Sequence, residues 1–178
     1  TIGGTTWLGR GCDEGVCGAR KISFDGKTFV DVKIEATSEV RAVTFAAKSH
    51  RGFVVADHTA DGRLSIYVSA PSSPVFSKTK MLDLDAREYG PVTATVDDEG
   101  VLRVGACRYE GDACLLFAFR EGKLESKRRL DATHALALVG KRGMWLTAGG
   151  LAVETADGGA SWSFVAFPGD REDLECNV

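Results

Sequence analysis

Three groups of side chains in this 178-residue sequence have types and spacing that could do chemistry. The first is sulfur. Cys12 and Cys17 stand in Gly11-Cys12-Asp13-Glu14-Gly15-Val16-Cys17, and Cys107 and Cys114 flank Arg108-Tyr109-Glu110-Gly111-Asp112-Ala113. Zinc half-sites would need the two-residue gap of a knuckle and further ligands, and no His lies close in sequence to either pair. A disulfide closing each loop across a hairpin is the better reading, and it points to an oxidising compartment. Cys176 is then left over, which suits a link to another chain or to a missing segment.

The second group is cationic and aromatic. Arg41, Arg87, Tyr89 and His134 stand at the approaches to apolar runs, in Ser38-Glu39-Val40-Arg41, Asp85-Ala86-Arg87-Glu88-Tyr89 and Ala132-Thr133-His134. Gathered at one place, the two guanidinium groups could hold a carboxylate or sulfate by paired hydrogen bonds, with Tyr89 and His134 beside them. They also read as solvated loop charges. His50 and His58 read as surface residues. The third group is acidic, Asp83-Leu84-Asp85 and Asp97-Asp98-Glu99. Neither continues to the distal Glu of a calcium loop, so both read as turns. No metal site, cofactor site or catalytic set is assigned.

These side chains must be positioned by strands. Apolar residues make up 44% of the chain and charged residues 26%, as in a soluble globular domain. A net charge of −3 offers no footprint for nucleic acid, and no apolar run is long enough to cross a bilayer. The start at Thr1, without a visible signal peptide, fits a trimmed or excised chain. No stretch carries a helical period. Instead, one grammar recurs: apolar strand, polar turn ending in Gly, apolar strand. It appears at Val40–Ala47 with Phe53–Ala56, at Val92–Val96 with Val101–Gly105, and at Ala135–Val139 with Met144–Ala148. Each is followed by a second hairpin, and Phe29, Phe76, Leu124 and Trp162 fall at the same place after its turn.

Recurrence at this length predicts a repeat architecture. A β-sandwich would show similar short strands. The repeated order of hairpins, and the cysteine loops at matching points, favour radial repetition. The expected fold is all-β and β-propeller-like, with four antiparallel blades in a single domain. The repeats run over about 1–37 plus 173–178, 38–84, 85–131 and 132–169. The first repeat lacks an innermost strand. Leu174–Val178 pairing antiparallel with Thr5–Leu8 would close the ring, unless another chain completes it.

The last repeat contains Thr155-Ala156-Asp157-Gly158-Gly159-Ala160-Ser161-Trp162. This resembles the Asp-box of the bacterial neuraminidase repeat in sialidase-like propellers, and Ser23-Phe24-Asp25-Gly26-Lys27-Thr28-Phe29 is a shortened relative. The resemblance implies a structural turn in which Thr155, Asp157, Gly159 and Ser161 close the loop while Trp162 packs between sheets. A sialidase would also need an Arg cluster, a Tyr nucleophile and about twice this length, and the family's Arg-Ile-Pro start is absent. The expected function is therefore a non-catalytic, secreted or periplasmic binding module for glycan or protein, without nucleic acid or membrane insertion. The alternative is part of a larger sialidase-like glycoside hydrolase whose other blades are absent from this chain.

Overall fold

The computed structural model describes residues 7–13, 16–23, 30–34, 37–110, 113–147 and 150–165. Every regular element among them is a β-strand. The first sheet holds β1 (Trp7–Asp13), β2 (Val16–Ser23) and β3 (Val30–Asp31) in antiparallel order. The chain then continues as β4 (Lys33–Ile34), which leaves that sheet and runs parallel to the outer strand of the next. The second sheet is β5 (Thr37–Ala46), β6 (Arg51–His58), β7 (Arg63–Ser69) and β8 (Val75–Asp85). The third is β9 (Tyr89–Val96), β10 (Leu102–Arg108), β11 (Cys114–Arg120) and β12 (Lys123–Leu130). The fourth is β13 (Ala132–Val139), β14 (Arg142–Thr147), β15 (Ala152–Thr155) and β16 (Ser163–Phe164).

The last three sheets are each built on an up-and-down meander of four strands, to which the second adds β4 as a fifth, parallel edge strand, and their leading strands β5, β9 and β13 lie side by side. Sheets that share an axis through their first strands are arranged as blades. The fold is propeller-like.

Period-two alternation explains how one sheet serves two neighbours. In the third sheet Leu102, Val104, Ala106, Phe117 and Phe119 join Val55, Leu64 and Ile66 of the second sheet in one core. The intervening Cys107, Cys114 and Leu116 join Leu136 and Leu138 of the fourth sheet in another. A third core sets Val40, Val54, Ala56, Tyr67 and Phe76 against Val32 and Ile34. The first two cores are thus interfaces between successive sheets, and the third lies on the opposite face of the second sheet, under the segment 32–34. Residues such as Val54, Leu64 and Val104, with no exposed surface, each contribute about 1.5–3 kcal/mol by burial.

The far face of the fourth sheet is different. Val139 is 78% exposed, and Met144 and Leu146 are exposed as well. Among the described residues no packing of comparable extent joins this sheet to the first, and we call the described strands an arc. The closing strand expected at Leu174–Val178, with Cys176, lies outside the described residues, as do Thr5 and Thr6.

Phe76 is buried and Trp162 half-buried, but Leu124, the counterpart in the third sheet, is 47% exposed. Leu124 stands opposite Phe119 on the outer strand β12, whose neighbours are Lys123, Glu125 and Lys127. Every residue of that strand except Ser126 and Leu130 is largely exposed. Phe29 lies outside the described residues.

Candidate functional site

The start of β5 and β9 and the end of β6 and β10 meet at one end of the arc. There Arg41 donates from Nε to Asp57 Oδ1 at 2.9 Å and from NH2 to Asp57 Oδ2 at 2.8 Å, a fork-to-fork pair. Glu39 Oε2 lies 3.3 Å from the same NH2, and NH1 donates to the Tyr109 hydroxyl at 3.2 Å. The hydrogen bond that Arg41 donates to Asp57 raises the guanidinium above its ordinary value, against the burial that lowers it. Two carboxylates against one guanidinium leave this cluster net negative, and the face of Arg41 that could bind an anion is occupied.

Tyr109 crosses from the third sheet to reach Arg41. Its ring lies directly over Gly90, where a Cβ would overlap the ring carbons, so only glycine permits the approach. Its backbone N–H donates to Glu88 O at 2.9 Å, and Arg108 pairs with Glu88 at 3.1 Å. Half of the Tyr109 surface, 52%, remains exposed. Two residues before it, Cys107 is disulfide-bonded to Cys114, directly opposite across β10 and β11. Cys12 and Cys17 are likewise opposite one another in the backbone register of β1 and β2, and their side chains lie outside the described residues.

The other residues singled out in the sequence are dispersed. Arg87 turns to Asp85, donating at 3.1 and 2.7 Å, which holds the Asp85 carboxyl down at about 2. Tyr89 is 8% exposed and belongs to the core between the second and third sheets. The hydroxyl that meets Arg41 is therefore that of Tyr109, which had no distinguishing signal beyond its place after Cys107. His134 falls in β13, described there by its backbone alone. Asp83 pairs with Arg63, and His58 Nδ1 lies 3.1 Å from Asp61. His50 takes a φ of 52° in its turn and packs edge-on against Phe45.

A second polar centre braces the third and fourth sheets. Asp97 Oδ1 accepts from the backbone of Glu99 at 3.0 Å and Val101 at 2.9 Å, closing its own turn. Its Oδ2 accepts from Arg103 NH1 at 2.5 Å, with both side chains buried. Burial pushes the Asp97 carboxyl up, but Arg103 and the backbone donors outweigh it, and it lies below its ordinary value. Arg103 Nε also approaches Gly158 O at 3.4 Å, and Arg128 donates to Gly159 O and Ala160 O at 2.8 Å. These carbonyls belong to the turn Thr155–Trp162. Within it, Asp157 accepts from Ser161 N at 2.9 Å and from Ser161 Oγ at 2.6 Å, while Thr155 Oγ1 donates to Asp157 at 2.7 Å. Thr155 Oγ1 also accepts from Gly159 N at 3.0 Å, and Gly158 takes a φ of 77° with Arg103 beneath it. Trp162 leaves the turn to stack on Trp145, centroids 5.0 Å apart.

Among the described residues no group of three or more His, Cys, Asp or Glu is placed to hold a metal ion. Among the described residues no helix is long and apolar enough to cross a membrane.

No protein-family profile matches the sequence, and no curated protein is similar to it. Solved structures are similar at low identity. YCF48 bound to D1 peptide shares 13% identity with a TM-score of 0.47, over 92% of this chain and 51% of that one. YCF48 from Cyanidioschyzon merolae shares 14% identity with a TM-score of 0.48, over 75% and 41%. A GH43 β-1,3-galactosidase, BT0265, shares 14% identity with a TM-score of 0.49, over 90% and 42%. The chain spans about half, or less, of the length of each.

Proposed function

We propose that the protein is a non-catalytic, secreted binding module that presents a glycan-binding face at the Tyr109 end of the arc. The observation that carries this reading is Tyr109 itself. An aromatic ring left half exposed, yet held by Gly90 beneath it, Arg41 on its hydroxyl and Glu88 on its backbone, is organised before any ligand arrives. Such rigid, amphipathic rings supply binding energy at low entropic cost. Glu39, Asp57 and Glu88 around it suit hydroxyl donors better than an anion. The disulfide Cys107–Cys114 supports an oxidising compartment.

A glycan array probed with the whole chain tests the reading. Binding should be saturable, should fall about tenfold or more in Tyr109→Ala, and should survive in Tyr109→Phe, which keeps the ring. Equal binding by Tyr109→Ala, or no glycan retained, would overturn it.

A second reading is favoured by the exposed apolar row Val139, Met144 and Leu146: the arc is part of a larger ring, in which a further sheet covers this face. The equivalent faces of the second and third sheets are covered in that manner. Under this reading the triple change to Ser reduces self-association in light scattering, and unchanged scattering counts against it.

A further inference from the structure

At the opposite end of β5 and β10 from Tyr109, the second and third sheets part to leave a cavity of about 610 Å3. Its walls are apolar: Phe53, Ile66 and Val68 from one sheet, Leu102 and Phe119 from the other. The register shows why the sheets separate there. The row Ala42, Val55, Ile66 runs across the second sheet toward the third and ends on the outer strand at Lys80. In β6 the apolar run likewise gives way at its start to Arg51, opposite Ala46. The core therefore stops one residue short on each side, and charged stems replace the missing apolar contacts.

The charges on the two lips are not alike. On the third sheet Arg120 is held by Glu125 at 2.6 Å and lies 3.7 Å from Glu99, and Glu99 is also paired with Lys141. Glu121 stands at the tip of the adjoining turn. On the second sheet both lip charges are positive, and neither Arg51 nor Lys80 has a carboxylate partner among the described residues. The Thr79 hydroxyl is engaged with Ile66 O at 3.1 Å, leaving those two cations as the charged groups of that lip, beside the neutral Ser49 hydroxyl.

We infer that this cleft binds a small amphipathic anion, a free carboxylate or sulfonate on an apolar body, with Arg51 and Lys80 on the head and Phe53, Val68 and Phe119 around the tail. Its volume falls within the range of about 300–1,000 Å3 usual for small-molecule sites, which are apolar with a few placed polar groups. Two unpaired cations against the single unpaired carboxylate of Glu121 leave the mouth of the cleft net positive, which favours an anion over an alcohol of the same length and disfavours an amine. This site is independent of the glycan reading, which concerns the other end of the arc.

The test is a titration of the whole chain with decanoate, followed by backbone amide shifts. Saturable shifts are expected at Phe53, Val68 and Leu102, with Tyr109 unmoved. Decanol should bind about tenfold more weakly than decanoate, and decylammonium more weakly still. Arg51→Gln and Lys80→Gln, both at exposed positions, should each weaken decanoate about three- to tenfold without lowering the melting temperature. Shifts elsewhere, equal binding of decanol, or charge variants indistinguishable from the parent would overturn the inference.

Discussion

The interface between the second and third sheets and that between the third and fourth do the same job with different forces. The former is a broad apolar core of Val55, Leu64, Ile66, Leu102, Val104 and Phe117. The latter has a smaller apolar core and adds a buried ion pair, a disulfide and three guanidinium-to-carbonyl contacts from Arg103 and Arg128. A face built on apolar area tolerates imperfect geometry, because burial has no direction. A face built on buried charge does not, since each partner left alone in a low dielectric is costly. The lesson is that the fourth sheet relies on a smaller apolar core and on directional polar contacts, each of which matters more.

The sharpest way to break that comparison is Arg103→Ala, which strands the Asp97 carboxylate. It should cost about 3–5 kcal/mol in denaturant titration, and adding Asp97→Ala should recover part of the loss. A cost below about 1 kcal/mol would show the brace to be ornamental. Leu64→Ala, on the apolar side, should cost about 3 kcal/mol, and its effect should add independently to that of Arg103→Ala. Reduction of Cys107–Cys114 closes no new contact but frees a short loop, and should cost about 2–3 kcal/mol by loop-closure entropy, read as a lower melting temperature in dithiothreitol.

The Thr155–Trp162 turn supplies a pH test. Hydrogen bonds from Ser161 hydroxyl and backbone, with that of Thr155, hold the Asp157 carboxyl well below its ordinary value. A depressed folded-state pKa stabilises above the unfolded value, near pH 4, and that contribution disappears as pH falls through the folded one. The melting temperature should therefore fall more between pH 5 and pH 2 in the parent than in Asp157→Asn. Parallel slopes would mean that the turn does not hold the fourth sheet. The smallest effect is expected from Leu124→Ser, within about 0.5 kcal/mol, because the side chain is 47% exposed on β12.

Much of the strand order was legible because turns are local. Asp98-Glu99-Gly100 and Glu121-Gly122-Lys123 each announce a reversal through residue types that a tight turn requires, whereas the turn expected at Lys141-Arg142-Gly143 falls earlier, at Gly140-Lys141, with Gly140 at a φ of 59°. Cys107 and Cys114 were paired from the same logic, since strands joined by a short loop bring their ends together. The ligand face was less legible. Arg41, Arg87, Tyr89 and His134 share a chain position relative to their strands, but the side a residue faces depends on register and on which sheet lies opposite.

Alternation and turn chemistry, both properties of a few consecutive residues, were enough by themselves to determine an all-β chain of successive hairpins with a cross-strand disulfide. Only the tertiary structure decided that Tyr89 is core, that Tyr109 caps Arg41, and that Arg103 reaches from its own Asp97 to the turn at Gly158. Those outcomes join residues from different sheets, and the free energy that selects them comes from burial and charge pairing across an interface. No local pattern encodes which guanidinium will find which carboxylate once two sheets have closed on each other.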